Sequence, residues 1–566
     1  MIIQPVVNIA EICARKGVQH VVLSPGSRCA PLTIAFARHP QLTVRTVSDE
    51  RAAAFIALGM AQTTGKPTVL VCTSGTAALN YAPAVAEAFY QQVPLLVLTA
   101  DRPPEWLDQL DGQTIRQQQV YGQHIKQSYT FPVDFAHPDT TWYSERIMSE
   151  ALNLCTAFPA GPVHVNVPLR EPFYPEAGEE IHFGKQVKII TEEGQDFALS
   201  TAKAIKLEQE ILRFRRIVVV AGQEKHDAKL LQALHQFSES TNAVVVSDII
   251  SNAQRLPKAI RYQDALLSCP DKEALAQLQP DLLLTFGKSV ISKSLKLYLR
   301  KYKPQAQWHI QQAGAVADTF QALTKIIHCE PASFFTSMAG STRTAADFAA
   351  AWQQLDAKAG TFLEKYAAEG AYSELTVVAR VLRQLPQQSN LHLANSMTVR
   401  YANIVNLRAE QQVTVFANRG TSGIDGCTST AVGCALTSTG ITTLLTGDMA
   451  FFYDRNGLWH NYLPQNLRIV ILNNHAGGIF RLIDGPRQQP ELEPYFETHQ
   501  ALNAENTAHD FGMAYTAVHT MEELTQALPA FFSTDAGPSI LEIFTDSKAN
   551  AEAFASYKQA LQQTAF

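Results

Sequence analysis

Residues 446–480 read T-G-D-M-A-F-F-Y-D-R-N-G-L-W-H-N-Y-L-P-Q-N-L-R-I-V-I-L-N-N-H-A-G-G-I-F. The apolar run Ile441–Thr446 predicts a buried strand that ends at Gly447-Asp448. A helical segment follows, and Arg468–Leu472 predicts a second buried strand ending at Asn473-Asn474. Asp448 and Asn474 stand 26 positions apart, yet adjacent parallel strands would carry both to one sheet edge. A carboxylate and an amide oxygen are hard ligands, suited to octahedral Mg²⁺ shared with a phosphate-bearing ligand. Taken singly, Asp448 reads as a helix cap and the Asn pair as a turn. Their spacing on consecutive strands is what favours the ion.

The same rhythm of short apolar runs and longer helical stretches fills the chain. Early strands are expected at His20–Leu23, Thr43–Val47, Thr68–Cys72, Pro94–Thr99 and Pro162–Val167, with helices over Glu50–Gln62 and Ala77–Tyr90. A second set is expected at Ile217–Ala221, Ala243–Ser247, Asp281–Phe286 and Gln307–Ile310, and a third at Leu391–Ala394, Val413–Ala417, Ile441–Thr446, Arg468–Leu472 and Ser539–Phe544. Residues 170–200 are Pro- and Glu-rich and read as a linker; residues 330–345 read as a polar loop. The expectation is an α/β protein with three doubly wound parallel-sheet domains, over 1–185, 186–345 and 346–566. In the first and third units, strands end in small-residue turns: S-P-G-S-R (24–28), T-S-G-T-A (73–77), N-R-G-T-S-G (418–423) and T-G-D-M-A (446–450). Helix starts at such turns favour phosphates and carboxylates.

Composition narrows the function. The 566 residues are 46% hydrophobic and 17% charged, with a net charge of −6. That is globular, and it argues against nucleic-acid binding as the main task. The eight cysteines form no C-x-x-C pair and several sit in apolar runs, which suggests buried free thiols in a reducing cytoplasm. No 18-residue apolar run suggests a membrane span, and the N-terminal residues lack a signal-peptide pattern. The turn V-V-V-A-G-Q-E-K-H-D-A of the middle unit has one glycine where a dinucleotide fingerprint needs three.

The G-D-x segment followed some two dozen residues later by N-N resembles the metal and diphosphate motif of the thiamine diphosphate-dependent enzymes. The resemblance implies a pyrimidine-binding domain over 1–185, a central domain over 186–345 and a diphosphate- and Mg-binding domain over 346–566. It implies thiamine diphosphate with Mg²⁺ or Mn²⁺ as cofactors. The usual pattern is G-D-G; here Met449 takes the third place and leaves Asp448 intact. The metal ligands implied are Asp448, Asn474 and the carbonyl of Ala476. Glu50, in V-S-D-E-R, matches the glutamate that hydrogen-bonds the aminopyrimidine. Read alone, Glu50 would be a first-turn helix residue complementing the macrodipole. Ile424 matches the apolar brace of the cofactor.

Within that superfamily, S-P-G-S-R, T-S-G-T-A, D-G-Q-T-I-R-Q, N-S-M-T-V-R and N-R-G-T-S-G-I-D-G together resemble the menaquinone-pathway synthase family. The likeness spans about residues 5 to 545; in the middle unit it rests on F-G-K-S-V-I-S-K (286–293). It implies decarboxylation of 2-oxoglutarate and conjugate addition of the four-carbon unit to isochorismate. Arg28, Gln113, Lys293, Arg400 and Arg419 match substrate-binding positions, as do Ile479 and Phe480, and Ser396 matches a position facing cofactor or substrate. Such carboxylate-rich substrates require cations in the pocket. Gly112 stands where relatives often have Asn, and for Arg116 a structural role stays open. The resemblance also implies a homodimer or homotetramer whose active sites are shared, with Glu50 from one subunit and Asp448 from another. A pyruvate-using carboligase or decarboxylase of the same superfamily, with a less cationic pocket, is the alternative.

Overall fold

Alternate residues along the central strands face opposite hydrophobic cores, so each of the three sheets is a middle layer. On Thr68–Cys72, for example, Val69 and Val71 pack into one core while Leu70 and Cys72 pack into another. The structure, a computed structural model of the chain, describes residues 2–184, 186–194, 197–340 and 344–564. The first sheet contains β1 (His20–Leu23), β2 (Thr43–Thr46), β3 (Thr68–Cys72), β4 (Leu95–Asp101), β5 (Ser128–Thr130) and β6 (Val163–Pro168). The second contains β7 (Ile217–Ala221), β8 (Val244–Ser247), β9 (Leu282–Phe286), β10 (Ala306–Gln311) and β11 (Leu323–His328). The third contains β12 (Asn390–Leu393), β13 (Thr414–Ala417), β14 (Thr442–Gly447), β15 (Leu467–Asn473), β16 (Ala514–Val518) and β17 (Ser539–Phe544).

The orders are β2-β1-β3-β4-β6-β5, β11-β10-β9-β7-β8 and β13-β12-β14-β15-β17-β16, and the paired strands are parallel. The protein is therefore α/β with three parallel sheets. The first and third sheets share one topology: in each, the second strand lies outside the first, and the fifth lies outside the sixth. Both chain directions diverge after the first strand, which makes a crevice at the carboxyl edge beside β1 and β3, and again beside β12 and β14.

Three strands were not anticipated, and all three lie at sheet edges: β5, β11 and β16. Each is half exposed, so none carries the continuous apolar run of a strand covered on both faces. The expectation of a polar loop over 330–345 is corrected for its first half. Pro331–Met338 is a helix whose Phe334, Phe335 and Met338 are buried against the second sheet. Ser341, Thr342 and Arg343 lie outside the described residues. The segment after β6 forms no helix or strand among the described residues up to Ser200. It is nevertheless packed, with Phe173, Ile181, Phe183 and Ile189 against the first core. All eight cysteines are buried and free. Among the described residues no helix is long and apolar enough to cross a membrane.

Candidate active site

Apart from Lys293, which lies in the second unit after β9, the candidate residues fall into two groups, each at the carboxyl edge of a sheet. The third sheet carries the larger group. β14 and β15 run side by side with Gly447 opposite Leu472, so Asp448 and Asn474 follow neighbouring strand ends. Asp448 opens the helix Asp448–Tyr453 and is 2% exposed. Burial pushes its carboxyl up to about 6, opposed by the amide of Gln500, whose Nε2 donates to Asp448 Oδ2 at 2.8 Å. Asn474 Nδ2 donates to Glu374 Oε1 at 2.7 Å, which aims the amide. Its Oδ1 accepts from the Ala476 N–H at 2.9 Å, and the Ala476 carbonyl accepts from the Gly478 N–H at 2.9 Å. Burial, with Asp448 as a lesser cause, holds Glu374 up at about 8 against the Asn474 hydrogen bond.

This donor set fits a divalent ion of the magnesium type. Among the described residues no cationic side chain pairs with the buried Asp448, and no group of three His, Cys, Asp or Glu side chains forms a softer or more highly charged site. One carboxylate, one amide oxygen and one carbonyl leave positions for anionic oxygens and water, as Mg²⁺ usually retains. Each carbonyl oxygen has a second lone pair beyond the internal bond it accepts.

One strand over, β12 and β13 end in loops tied by Asn395. Its Nδ2 donates to the carbonyls of Asn418 at 2.7 Å and Gly423 at 2.6 Å, and its Oδ1 accepts from Arg419 Nη1 at 2.7 Å. Ser396 adopts φ 72 at the start of the helix Met397–Val405, and the guanidinium of Arg400 donates to the Ser396 carbonyl. Ile424 packs with Ala394, Cys427 and Ala450, which places it on the same edge as Asp448. Burial, then the neighbouring Arg419, disfavours the charged form of Arg400. Burial likewise disfavours that of Arg419, opposed by Asp248 and Glu87. Among the described residues neither guanidinium has an ion-pair partner, and Arg419 Nε is buried without a hydrogen-bond partner. Two adjacent, partly desolvated cations of this kind call for an anion.

Lys293 is exposed at the first position of the helix Lys293–Lys301. One turn along, Lys296 lies in the electrostatic field of Arg419 and Arg400. Ile479 and Phe480 begin the short helix Ile479–Leu482, with Phe480 against the Phe496 ring at 5.7 Å.

The first sheet carries the other group. Asp49 caps the helix Glu50–Thr64 by accepting from the Ala52 N–H at 3.1 Å, and Gly65 ends it at φ 70. Glu50 is half-buried, and its Oε2 accepts from Asn80 Nδ2 at 3.3 Å. Arg28 is buried, donates to the Leu169 carbonyl at 3.0 Å and lies 4.6 Å over the Phe173 ring. Gln113 is exposed at φ 52, and its backbone would stand 3.3 Å from a Cβ on Gly75, so the T-S-G-T-A and D-G-Q loops abut. Arg102 holds that second loop through the Gly112 carbonyl at 2.7 Å and Asp111 at 2.8 Å. Arg116 forms an exposed ion pair with Asp108 at 3.0 Å, in keeping with a structural role.

Among the described residues no hydrogen bond or ion pair joins Glu50, Arg28 or Gln113 to Asp448, Asn474, Arg400 or Arg419. Gln500, Glu374, Asn395 and Arg102 were not singled out from the sequence. Asn395 opens the quoted N-S-M-T-V-R motif, and Arg102 lies three residues past the expected strand Pro94–Thr99; Gln500 and Glu374 sit in no pattern that marks them.

Residues 7–127 match the family described as thiamine pyrophosphate enzyme, N-terminal TPP binding domain, and residues 193–393 match the middle domain of thiamine pyrophosphate enzymes. A Cytophaga hutchinsonii protein named 2-succinyl-5-enolpyruvyl-6-hydroxy-3-cyclohexene-1-carboxylate synthase is 44% identical over 562 residues, covering 99% of both chains. Proteins of the same name from Flavobacterium johnsoniae and Porphyromonas gingivalis are 38% and 36% identical; they cover 96% and 97% of this chain and 96% of their own lengths.

Proposed function

Since this chain belongs to the thiamine diphosphate-dependent family of 2-succinyl-5-enolpyruvyl-6-hydroxy-3-cyclohexene-1-carboxylate synthases, we propose that its two sheet edges divide the work of that reaction. The enzyme is a transferase of menaquinone biosynthesis. It takes the four-carbon unit left when 2-oxoglutarate loses carbon dioxide and joins it to isochorismate. Thiamine diphosphate, when bound, supplies the nucleophilic carbon and the electron sink for the decarboxylation.

The residues of this chain supply the rest. Asp448 and Asn474, with the Ala476 carbonyl, hold Mg²⁺ or Mn²⁺ against the diphosphate. Ile424 braces the cofactor and Ser396 lines its edge. Glu50 holds the proton at the aminopyrimidine ring nitrogen. Its second carboxylate oxygen has no partner among the described residues and is available for that bond. Arg400 and Arg419 clamp substrate carboxylates, assisted by Lys293, Arg28 and Gln113, while Ile479 and Phe480 shape the apolar wall. Because Glu50 and Asp448 share no contact within one chain, we assign each active site to two subunits of a homodimer or homotetramer. We assign the pyrimidine, central and diphosphate roles to residues 1–185, 186–345 and 346–566, and the reaction to the cytoplasm, where free thiols persist.

The observation that carries the substrate reading is the unpaired Arg400–Arg419 cluster one strand from Asp448. The test is carbon dioxide release from 2-oxoglutarate against pyruvate, with thiamine diphosphate and Mg²⁺, with and without isochorismate. Release from 2-oxoglutarate, strongly enhanced by isochorismate, is expected. Preferential use of pyruvate would overturn the reading.

A further inference from the structure

The cationic groups assigned to substrate come from two different units. Lys293 opens a helix of the second unit, and Arg400 sits on the helix Met397–Val405 of the third. What fixes one against the other is a short chain of buried polar side chains. Asp264, on the helix Gln263–Leu266, accepts from Ser292 Oγ at 2.6 Å through Oδ1 and from Asn403 Nδ2 at 2.7 Å through Oδ2. Ser292 directly precedes Lys293 and caps its helix by accepting from the Leu295 N–H at 3.1 Å. Asn403 lies three residues after Arg400, 0% exposed, and its Oδ1 accepts from the Ile249 N–H at 2.9 Å. Asp248, beside Ile249, takes the Ile291 and Ser292 N–H groups at 2.7 and 3.1 Å.

The connection is directional. Its Asp264–Asn403 link has one polarity that fits, amide N–H to carboxylate oxygen, and a buried group left unpaired is costly. A rotation of the helix bearing Arg400, or a slide of the loop bearing Lys293, would break at least one of these bonds. We propose that Asp264 and Asn403 are positioning residues for substrate: a carboxylate–amide strut that sets the spacing between Lys293 and Arg400, and hence the grip on the substrate carboxylates. The inference rests on the substrate assignment of those two cations.

The strut can be broken and rebuilt. Asp264→Asn puts an amide N–H₂ against the Asn403 N–H₂ and loses that bond. The exchange Asp264→Asn with Asn403→Asp restores it in reverse polarity. It keeps the acceptor for Ser292 Oγ, the acceptor for the Ile249 N–H and the total charge. Steady-state kinetics for both substrates, with thiamine diphosphate affinity by calorimetry, provide the readout. Asp264→Asn is expected to raise KM for at least one substrate tenfold or more, with kcat and cofactor affinity changed by less than about threefold. The exchange is expected to return KM to within about threefold of wild type.

Unchanged KM in Asp264→Asn would overturn the proposal. So would a fall in kcat and cofactor affinity with KM unmoved, or an exchange variant that folds but keeps the raised KM. If Asp264→Asn does not fold, Asn403→Ala, which removes the amide that donates to Asp264 Oδ2 and so unties the Arg400 helix from it, takes its place with the same expectation and the same overturning result. Lys293→Ala and Arg400→Ala separate the two readings. If neither moves KM, the substrate assignment fails. If they do and breaking the strut does not, the strut alone fails.

Discussion

Gly59 and Gly433 lie each against the other's helix backbone. A Cβ on Gly59 would stand 2.0 Å from the Thr430 carbonyl oxygen, and one on Gly433 2.0 Å from the Ile56 carbonyl oxygen. The helices Glu50–Thr64 and Cys427–Ala435 thus meet at backbone distance and join the first unit to the third. One helix starts at Glu50; the other follows the loop of Arg419 and Ile424. In an isolated helix, alanine in place of glycine would gain about 1 kcal/mol. Here the clash is with backbone, which cannot rotate away, and overpacking typically costs about 1–3 kcal/mol or more. Gly433→Ala is therefore expected to destabilise the protein, read as a lower denaturant midpoint. An unchanged or raised midpoint would mean that the helices separate freely.

Asp448→Ala removes the charged member of the proposed ion site. Calorimetry is expected to show Mg²⁺-dependent thiamine diphosphate binding collapse in this variant. Retained metal-dependent affinity would place the ion elsewhere.

Arg400→Ala is expected to spare thiamine diphosphate affinity and impair substrate use. Losing one side of a desolvated Arg–carboxylate contact costs about 2–5 kcal/mol. Steady-state constants for 2-oxoglutarate and isochorismate provide the check; wild-type values for both would remove Arg400 from the substrate site.

Glu50→Gln keeps the shape of the side chain and one hydrogen bond but cannot move a proton. Cofactor binding should survive, and turnover should fall by roughly the 10²–10⁴-fold associated with lost acid–base help. Hydrogen–deuterium exchange at the cofactor C2 carbon, followed by NMR after acid quench, reads the step directly. Equal exchange rates in variant and wild type would leave Glu50 with only its place at a helix start.

Asp454, at the end of the helix that Asp448 opens, supplies a pH test. It is fully buried and accepts from Ser429 N–H at 2.7 Å and Ser429 Oγ at 2.9 Å. Burial pushes its carboxyl up to about 7. Because the folded value lies above the unfolded one, near 3.9, its favourable contribution is full in acid below that unfolded value. It is lost as pH rises through about 7. Asp454→Asn retains an acceptor for the Ser429 N–H and never ionises. Relative to wild type, the variant should gain stability from about pH 4 to about pH 7, at up to about 1.4 kcal/mol per pH unit, and the difference should level off above that. A stability difference independent of pH would show that Asp454 does not titrate on folding.

The central strands and the strand-end motifs were legible from local pattern alone. His20–Leu23, Thr68–Cys72, Ile217–Ala221 and Ser539–Phe544 have the expected bounds, because a strand covered on both faces is predominantly apolar. The Asp448–Asn474 pairing was legible because consecutive strands lie side by side. Tertiary structure decided the rest. The edge strands β5, β11 and β16 face water on one side and so lose the apolar run. Pro331–Met338 reads as polar, yet its buried Phe334 and Phe335 make it a helix against the second sheet. The partners that aim the site come from far along the chain. Gln500 reaches Asp448 across 52 positions, Glu374 reaches Asn474 across 100, and Glu87 holds the Thr421 N–H next to the Arg419 loop across 334. A hydrogen bond between residues so distant leaves no periodic trace in either segment, and only the packing of whole units brings donor and acceptor within reach.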